Sequence, residues 1–313
     1  MAADGSMSNP YSDLADAASI RAYYHKEGYV VLRRLIPAEL CDQARLTFEQ
    51  EVKIYKKPLY RWSTHPELHV FDEHGHMMNA LLNVHSLDDT HFPRIKAAIL
   101  SILAHKNLCE VIRTLTGEEA ILVQTIYFES NRATPAHQDS YYVDSSVLGR
   151  MIGVWVAVED IHPDAEQFYI CPGSHKLDTP KNSGEFDVAF HHTQYKATVE
   201  EMIETYKLER HAPVMQKGDV IFWTAKTIHG SLAARDSSAR RSSLTGHFIP
   251  ASTSLLHMQK IQRKLDVRRV NEVLVHFPKD QTKLKYRLMY SAETHFPRLF
   301  SLLKRVAIKA FLK

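Results

Sequence analysis

His229 follows His137 by 92 positions, and the segments around them, His137-Gln138-Asp139 and His229-Gly230-Ser231, together supply two imidazoles and one carboxylate. No local loop brings such segments together, whereas strands returning across a double sheet do. The expected fold class is therefore α+β with a mainly β core, a jelly-roll-like (double-stranded β-helix, cupin-like) barrel. Side chains two apart on extended backbone share a face, so His137 and Asp139 can converge on one ion, with His229 completing the set. Two imidazoles and one carboxylate leave positions open on the metal. That is the donor set of non-haem Fe(II) oxygen chemistry and not of a closed structural zinc.

The tripeptide alone says little. With 19 histidines and 17 aspartates in 313 residues, about one His-x-Asp arises by chance. A second stands at His162-Pro163-Asp164, and His65-Pro66-Glu67 is a looser third. Context selects the first. His137 follows ILVQTIYF (121–128), whose β-branched and aromatic residues suit a largely buried strand. The rival lies in EDIHPDAEQ, where Pro163 and the acids read as a solvated turn.

His229 closes the run GDVIFWTAKTIHGS. Gly218-Asp219 reads as a turn, 220–223 as a buried strand, and Gly230 as a point of close backbone approach. Arg240 and Arg241 then precede the strand-like SSLTGHFIP. A guanidinium pairs a carboxylate through two parallel hydrogen bonds, which suits the remote end of a dicarboxylic cosubstrate. Strand alternation directs one arginine inward and the other to water.

Around these segments the chain reads as one domain over 1–313. Residues 1–11 are expected to be a flexible start, 12–120 a helical region with an early strand, 121–250 the jelly-roll core and 251–313 a helical C-terminal region. Helices are predicted over 12–26, 37–56 and, as one or two, 94–115, with a strand at 29–33. Two interruptions, 55–89 with His74, His76, Met77 and Met78, and 176–208, are placed where lids and substrate contacts sit beside a barrel mouth.

Taken together, EGYVVLRRLIPAEL, the HQD, GVWVAVEDI, CPGSHK, GDVIFWTAKTIHGS and RRSSLTGHF resemble the phytanoyl-CoA dioxygenase family of Fe(II)/2-oxoglutarate-dependent oxygenases, in the family's order from about residue 20 to 250. The resemblance implies that His137, Asp139 and His229 bind iron, and that an arginine after the distal histidine binds the side-chain carboxylate of 2-oxoglutarate. Counting from His229 favours Arg240, and counting back from Gly246-His247 favours Arg241, which is preferred here. Trp155 and Ser231 match positions lining the cosubstrate pocket, with Gln124 and Tyr127 as weaker candidates. Tyr141 and Tyr142 are candidate neighbours of the open iron position, while His175 is read as turn-stabilising and His247 as core or close support.

The same resemblance implies O2 as oxidant, ascorbate as reductant, and release of succinate and CO2. Because Asp139 keeps its carboxylate, hydroxylation of an unactivated C–H in a small-molecule, natural-product or lipid-like substrate is expected. Desaturation, cyclisation and epoxidation remain open. Two other classes stand against this reading: a catalytically silent jelly-roll binding protein, and a non-redox metal isomerase with no use for the arginine. The turn at Asp164-Ala165-Glu166-Gln167-Phe168 and the loop SNRATPA depart from the family pattern.

A net charge of +3 is too mild to imply nucleic acid. Cys41, Cys109 and Cys171, odd in number and without C-x-x-C spacing, suit a reduced cytoplasmic setting, and no secretory signal opens the chain. From Phe296 to Lys313, apolar residues at helical spacing alternate with Arg and Lys. Such a helix rests on an anionic membrane surface or on a partner or, as preferred here, packs on its own domain. The oligomeric state is left open.

Overall fold

An eight-stranded sheet lies at the centre of the computed structural model, which describes residues 16–300, 302, 303 and 306. Its strands run in the order Tyr29–Leu32, Val220–Thr224, Ile152–Ala157, Ser243–Pro250, Ala120–Phe128, Val273–His276 and Val267–Val270, with Leu81–Leu82 also paired to Ala120–Phe128. Val273–His276 runs parallel to Ala120–Phe128, and the other pairs are antiparallel. Smaller sheets pair His229–Ser231 with Phe168–Ile170, and Val143–Ser145 with Leu255–His257 and Ile261–Arg263. The result is the expected jelly-roll with flanking helices.

The apolar runs GVWVAV and VIFW are continuous because both faces of these strands are covered. Val154, Val156, Val220, Phe222 and Leu244 pack on one side with Ile95, Ile99, Leu108 and Ile112 of the N-terminal helices. Trp155, Ile221 and Trp223 point the other way, toward Ala165 and Ile170. In Ala120–Phe128 a register shift leaves Val123 without a partner on Ser243–Pro250. Such a bulge exchanges the two faces, so Leu122 and Tyr127 both reach the helical side while Gln124, Ile126 and Phe128 face the interior cavity.

The first helix, Ala17–Glu27, is capped by Asp16, whose Oδ1 accepts from the Ser19 amide at 3.1 Å. It stops at Gly28 in the left-handed region at φ +81°, where a Cβ would lie 2.3 Å from His175 Nδ1. The predicted helix over 37–56 is Ala38–Thr47 continued by the π-helical turn Phe48–Val52. The region 94–115 splits into Pro93–Leu103 and Lys106–Thr116 at His105.

Two expectations are corrected. The region after 250 is not helical throughout: the strands Leu255–His257, Ile261–Arg263, Val267–Val270 and Val273–His276 precede the helix Leu284–His295. The sheet also recruits Tyr29–Leu32 and Leu81–Leu82, so the β core extends beyond 121–250. Part of 296–313 lies outside the described residues. Of those described, Phe296, Leu299, Leu302, Leu303 and Val306 are exposed. Among the described residues no helix is long and apolar enough to cross a membrane.

Candidate metal centre and its cavity

His137 and His229 sit directly opposite each other on adjacent antiparallel backbone. The His137 amide donates to the His229 carbonyl at 2.9 Å and the His229 amide returns the bond at 3.0 Å. This two-bond bridge closes the 92-residue gap and sets both imidazoles on one face, with ring centroids 4.3 Å apart. Gly230 permits the approach, since a Cβ there would lie 2.7 Å from the Thr134 carbonyl oxygen. Gln138 is extended, which turns Asp139 to the same side as His137.

The donor atoms fit a single ion. Asp139 Oδ1 lies 3.7 Å from His137 Nε2 and 3.6 Å from His229 Nε2. Metal bonds of about 2.1 Å place neighbouring ligand atoms about 3 Å apart and opposed ones about 4.2 Å apart, and both observed separations lie between these limits. Among the described residues, only His137, Asp139 and His229 form a cluster of metal-ligating type. Each imidazole is oriented by its other nitrogen, His137 Nδ1 donating to the Pro135 carbonyl at 2.9 Å and His229 Nδ1 to the Thr227 carbonyl at 2.9 Å. That tautomer leaves the Nε2 lone pairs for a metal.

Electrostatics hold all three groups in ligating form. Burial and the neighbouring His229 push His137 down to about 3, and burial likewise lowers His229. For Asp139 burial works in the opposite direction, but His229 and His247 outweigh it and keep the carboxyl below the usual carboxylate range. Its second oxygen, Oδ2, accepts from Trp223 Nε1 at 2.8 Å and lies 3.4 Å from His247 Nε2. Sequence reading missed Trp223, although a buried indole N–H needs an acceptor and so signals one.

The triad opens into a cavity of about 560 Å³. Gln124, Tyr142, Trp155, Ser231, Arg241 and His247 line it together with the ligands. Arg241 is 3% exposed, with its guanidinium 5.1 Å from the Phe128 ring centre and 5.6 Å from that of Trp155. Arg240 points outward and pairs with Glu159 at 3.0 Å. Tyr127 does not reach the cavity: the alternation that admits Gln124 and Ile126 turns it to the helical face, stacked on Phe48 at 4.6 Å.

Of the tyrosine pair, only Tyr142 lines the cavity, where its hydroxyl meets His192 Nε2 at 2.5 Å. Tyr141 stacks on Tyr195 instead. His175 is structural, with Nε2 3.1 Å from the His25 carbonyl. His162 is exposed and Asp164 half-buried, and both are away from the cavity. The solvated-turn reading fails for Glu166 in the same segment, which is 2% exposed and paired with Arg241. Both interruptions reach the mouth, through Trp62, Ser63 and Thr64 from one and Val188, His192 and Lys196 from the other. Cys41, Cys109 and Cys171 are buried and unpaired.

An open two-histidine, one-carboxylate centre facing a cavity is the arrangement of the mononuclear non-haem iron oxygenases. The model of the phytanoyl-CoA dioxygenase (PhyH) family matches residues 24–242, and the chain belongs to that family. It is 23% identical over 243 residues to the peroxisomal phytanoyl-CoA dioxygenase of Homo sapiens, covering 74% of this chain and 68% of that protein. Similar solved structures include the epimerase SnoN in complex with Fe3+, alpha ketoglutarate and nogalamycin RO, at TM-score 0.58 and 15% identity over 85% of this chain and 100% of that one. Another is EctD from S. alaskensis with 2-oxoglutarate and 5-hydroxyectoine, at TM-score 0.55 and 18% identity over 79% of this chain and 82% of that one.

Proposed function

We propose that the protein uses Fe(II), 2-oxoglutarate and O2, with ascorbate keeping the metal reduced, to hydroxylate a C–H bond of a small, largely apolar substrate. The observation that carries this reading is that Arg241 and the His137, Asp139, His229 cluster line one cavity. Ser231 lies two residues beyond His229 on the same strand, so its hydroxyl is offset about 7 Å from the imidazole, a separation a five-carbon dicarboxylate bridges. His137, Asp139 and His229 would hold the iron, which when bound supplies the activation of dioxygen and of the keto acid.

The protein's own groups supply position and dryness. Trp223 fixes the Asp139 carboxylate, the Pro135 and Thr227 carbonyls fix the imidazoles, and Trp155 and Phe168, stacked on each other, connect Arg241 to His229 along the cavity wall. Ile126, Phe128, Val188 and Met258 line the cavity with apolar surface, which suits a natural-product or lipid-like substrate and excludes water from the reacting centre. Desaturation or cyclisation would need the same residues and a different substrate pose.

The test is conversion of 2-oxoglutarate to succinate by purified protein given Fe(II), ascorbate and air. His137→Ala and His229→Ala should abolish iron retention and turnover, whereas the exposed His162→Ala should change neither. Arg241→Ala should retain iron and raise the 2-oxoglutarate requirement by about tenfold or more. No iron uptake by the unaltered chain would leave the silent binding protein as the better reading.

A further inference from the structure

Glu166 does not itself line the cavity but engages two residues that do, Arg241 and Ser231, the pair expected to hold a cosubstrate carboxylate. Its Oε2 accepts from Arg241 Nε at 3.1 Å and lies 3.1 Å from the terminal Nη2, the edge of the guanidinium that grips a carboxylate in fork fashion. Its Oε1 accepts from the Ser231 hydroxyl and, at 3.2 Å, from Asn131 Nδ2. The remaining Arg241 nitrogen, Nη1, donates to Ser243 Oγ at 2.7 Å. Both side chains suited to hold the distal end of 2-oxoglutarate are thus already engaged by an acid of the chain itself.

Arg241 and Glu166 are 3% and 2% exposed, so the pair is charge-matched in a nearly dry setting. A second carboxylate beside it would set two negative charges against one guanidinium where water cannot screen them. Asn131, which also contacts Thr134 at 2.8 Å, is half-buried beside Oε1 and offers a displaced carboxylate a polar neighbour.

We propose that Glu166 is an internal occupant of the subsite for the distal carboxylate, so that 2-oxoglutarate binds only by displacing this side chain from Arg241 and Ser231. Glu166 thereby removes the advantage that a dicarboxylic 2-oxo acid holds over one with an uncharged tail. The inference rests on the assignment of Arg241 as anchor.

Calorimetric titration of the anaerobic Fe(II)-loaded protein with 2-oxoglutarate and with 2-oxopentanoate, its analogue without the distal carboxylate, tests it. The unaltered protein should prefer 2-oxoglutarate by less than about tenfold, and Glu166→Gln should tighten 2-oxoglutarate by about tenfold or more while moving 2-oxopentanoate by less than about twofold. Glu166→Gln should also melt at a lower temperature without ligand and regain the difference with 2-oxoglutarate, because its Arg241 is left unmatched. A preference above about a hundredfold in the unaltered protein overturns the proposal, whatever the variant does. So does a folded Glu166→Gln with unchanged or weaker 2-oxoglutarate binding. If Arg241→Ala leaves 2-oxoglutarate binding untouched, the anchor assignment itself falls.

Discussion

Trp223 lies outside the candidate ligand set and yet would control a bound metal. Its indole N–H holds Asp139 Oδ2, which leaves Oδ1 aimed at the two imidazoles. Trp223→Phe keeps the ring in the core and deletes the donor, so iron affinity should fall about 10- to 100-fold with the fold intact. Titration with Fe(II) under anaerobic conditions, beside a near-UV spectrum, measures both. Affinity equal to that of the unaltered protein would show that the hydrogen bond does not orient the carboxylate. The candidate triad was legible in sequence because its chemistry is distinctive and two of its members lie within three residues. Trp223 and Glu166 were not, since strand pairing and a loop crossing bring them to the site. Glu166 in particular sits among acids that read as a wet surface.

The long strands were legible for a physical reason: covered on both faces, Ala120–Phe128, Ile152–Ala157 and Val220–Thr224 carry apolar runs that no turn imitates. The strands after residue 250 lacked that signal. Leu255–His257 and Ile261–Arg263 span three residues each, and Val267–Val270 exposes Arg268 and Arg269. The first interruption hides its organiser in the same way. Arg61 is 1% exposed and donates to the Asn79 carbonyl at 3.0 Å, the Glu67 carbonyl at 3.3 Å and His69 Nδ1, gathering the loop that presents Trp62, Ser63 and Thr64 to the cavity. Arg61→Ala strands those acceptors, at about 1–3 kcal/mol each where they stay dry. Limited proteolysis should then cut within 59–81 about tenfold faster or more, while iron and 2-oxoglutarate binding stay within about twofold. A cleavage pattern matching the unaltered protein would mean that other contacts hold this loop.

Unfolding of the whole molecule should register His85, which ties distant parts of the chain together. Fully buried, its Nδ1 meets Thr125 Oγ1 at 2.9 Å on the central strand and its Nε2 donates to the His276 carbonyl at 2.8 Å near the other end of the sequence. Burial is the main cause that pushes its imidazole down to about 4, with the His276 carbonyl acting the other way and Lys96 and Asp280 as more distant charges. A histidine neutral in the fold and free to protonate when unfolded, at about 6.5, binds fewer protons folded than unfolded. Its contribution is therefore complete above pH 6.5, declines as pH falls, and is gone near pH 4, a loss of about 3 kcal/mol in all. Between pH 7 and pH 5 the share from His85 is about 2 kcal/mol. His85→Gln should begin less stable at pH 7 and then lose about 2 kcal/mol less than the unaltered protein by pH 5, as read from urea unfolding of metal-free samples. Parallel losses in the two proteins would mean that His85 does not resist protonation in the fold, and that acid weakens the molecule through other groups.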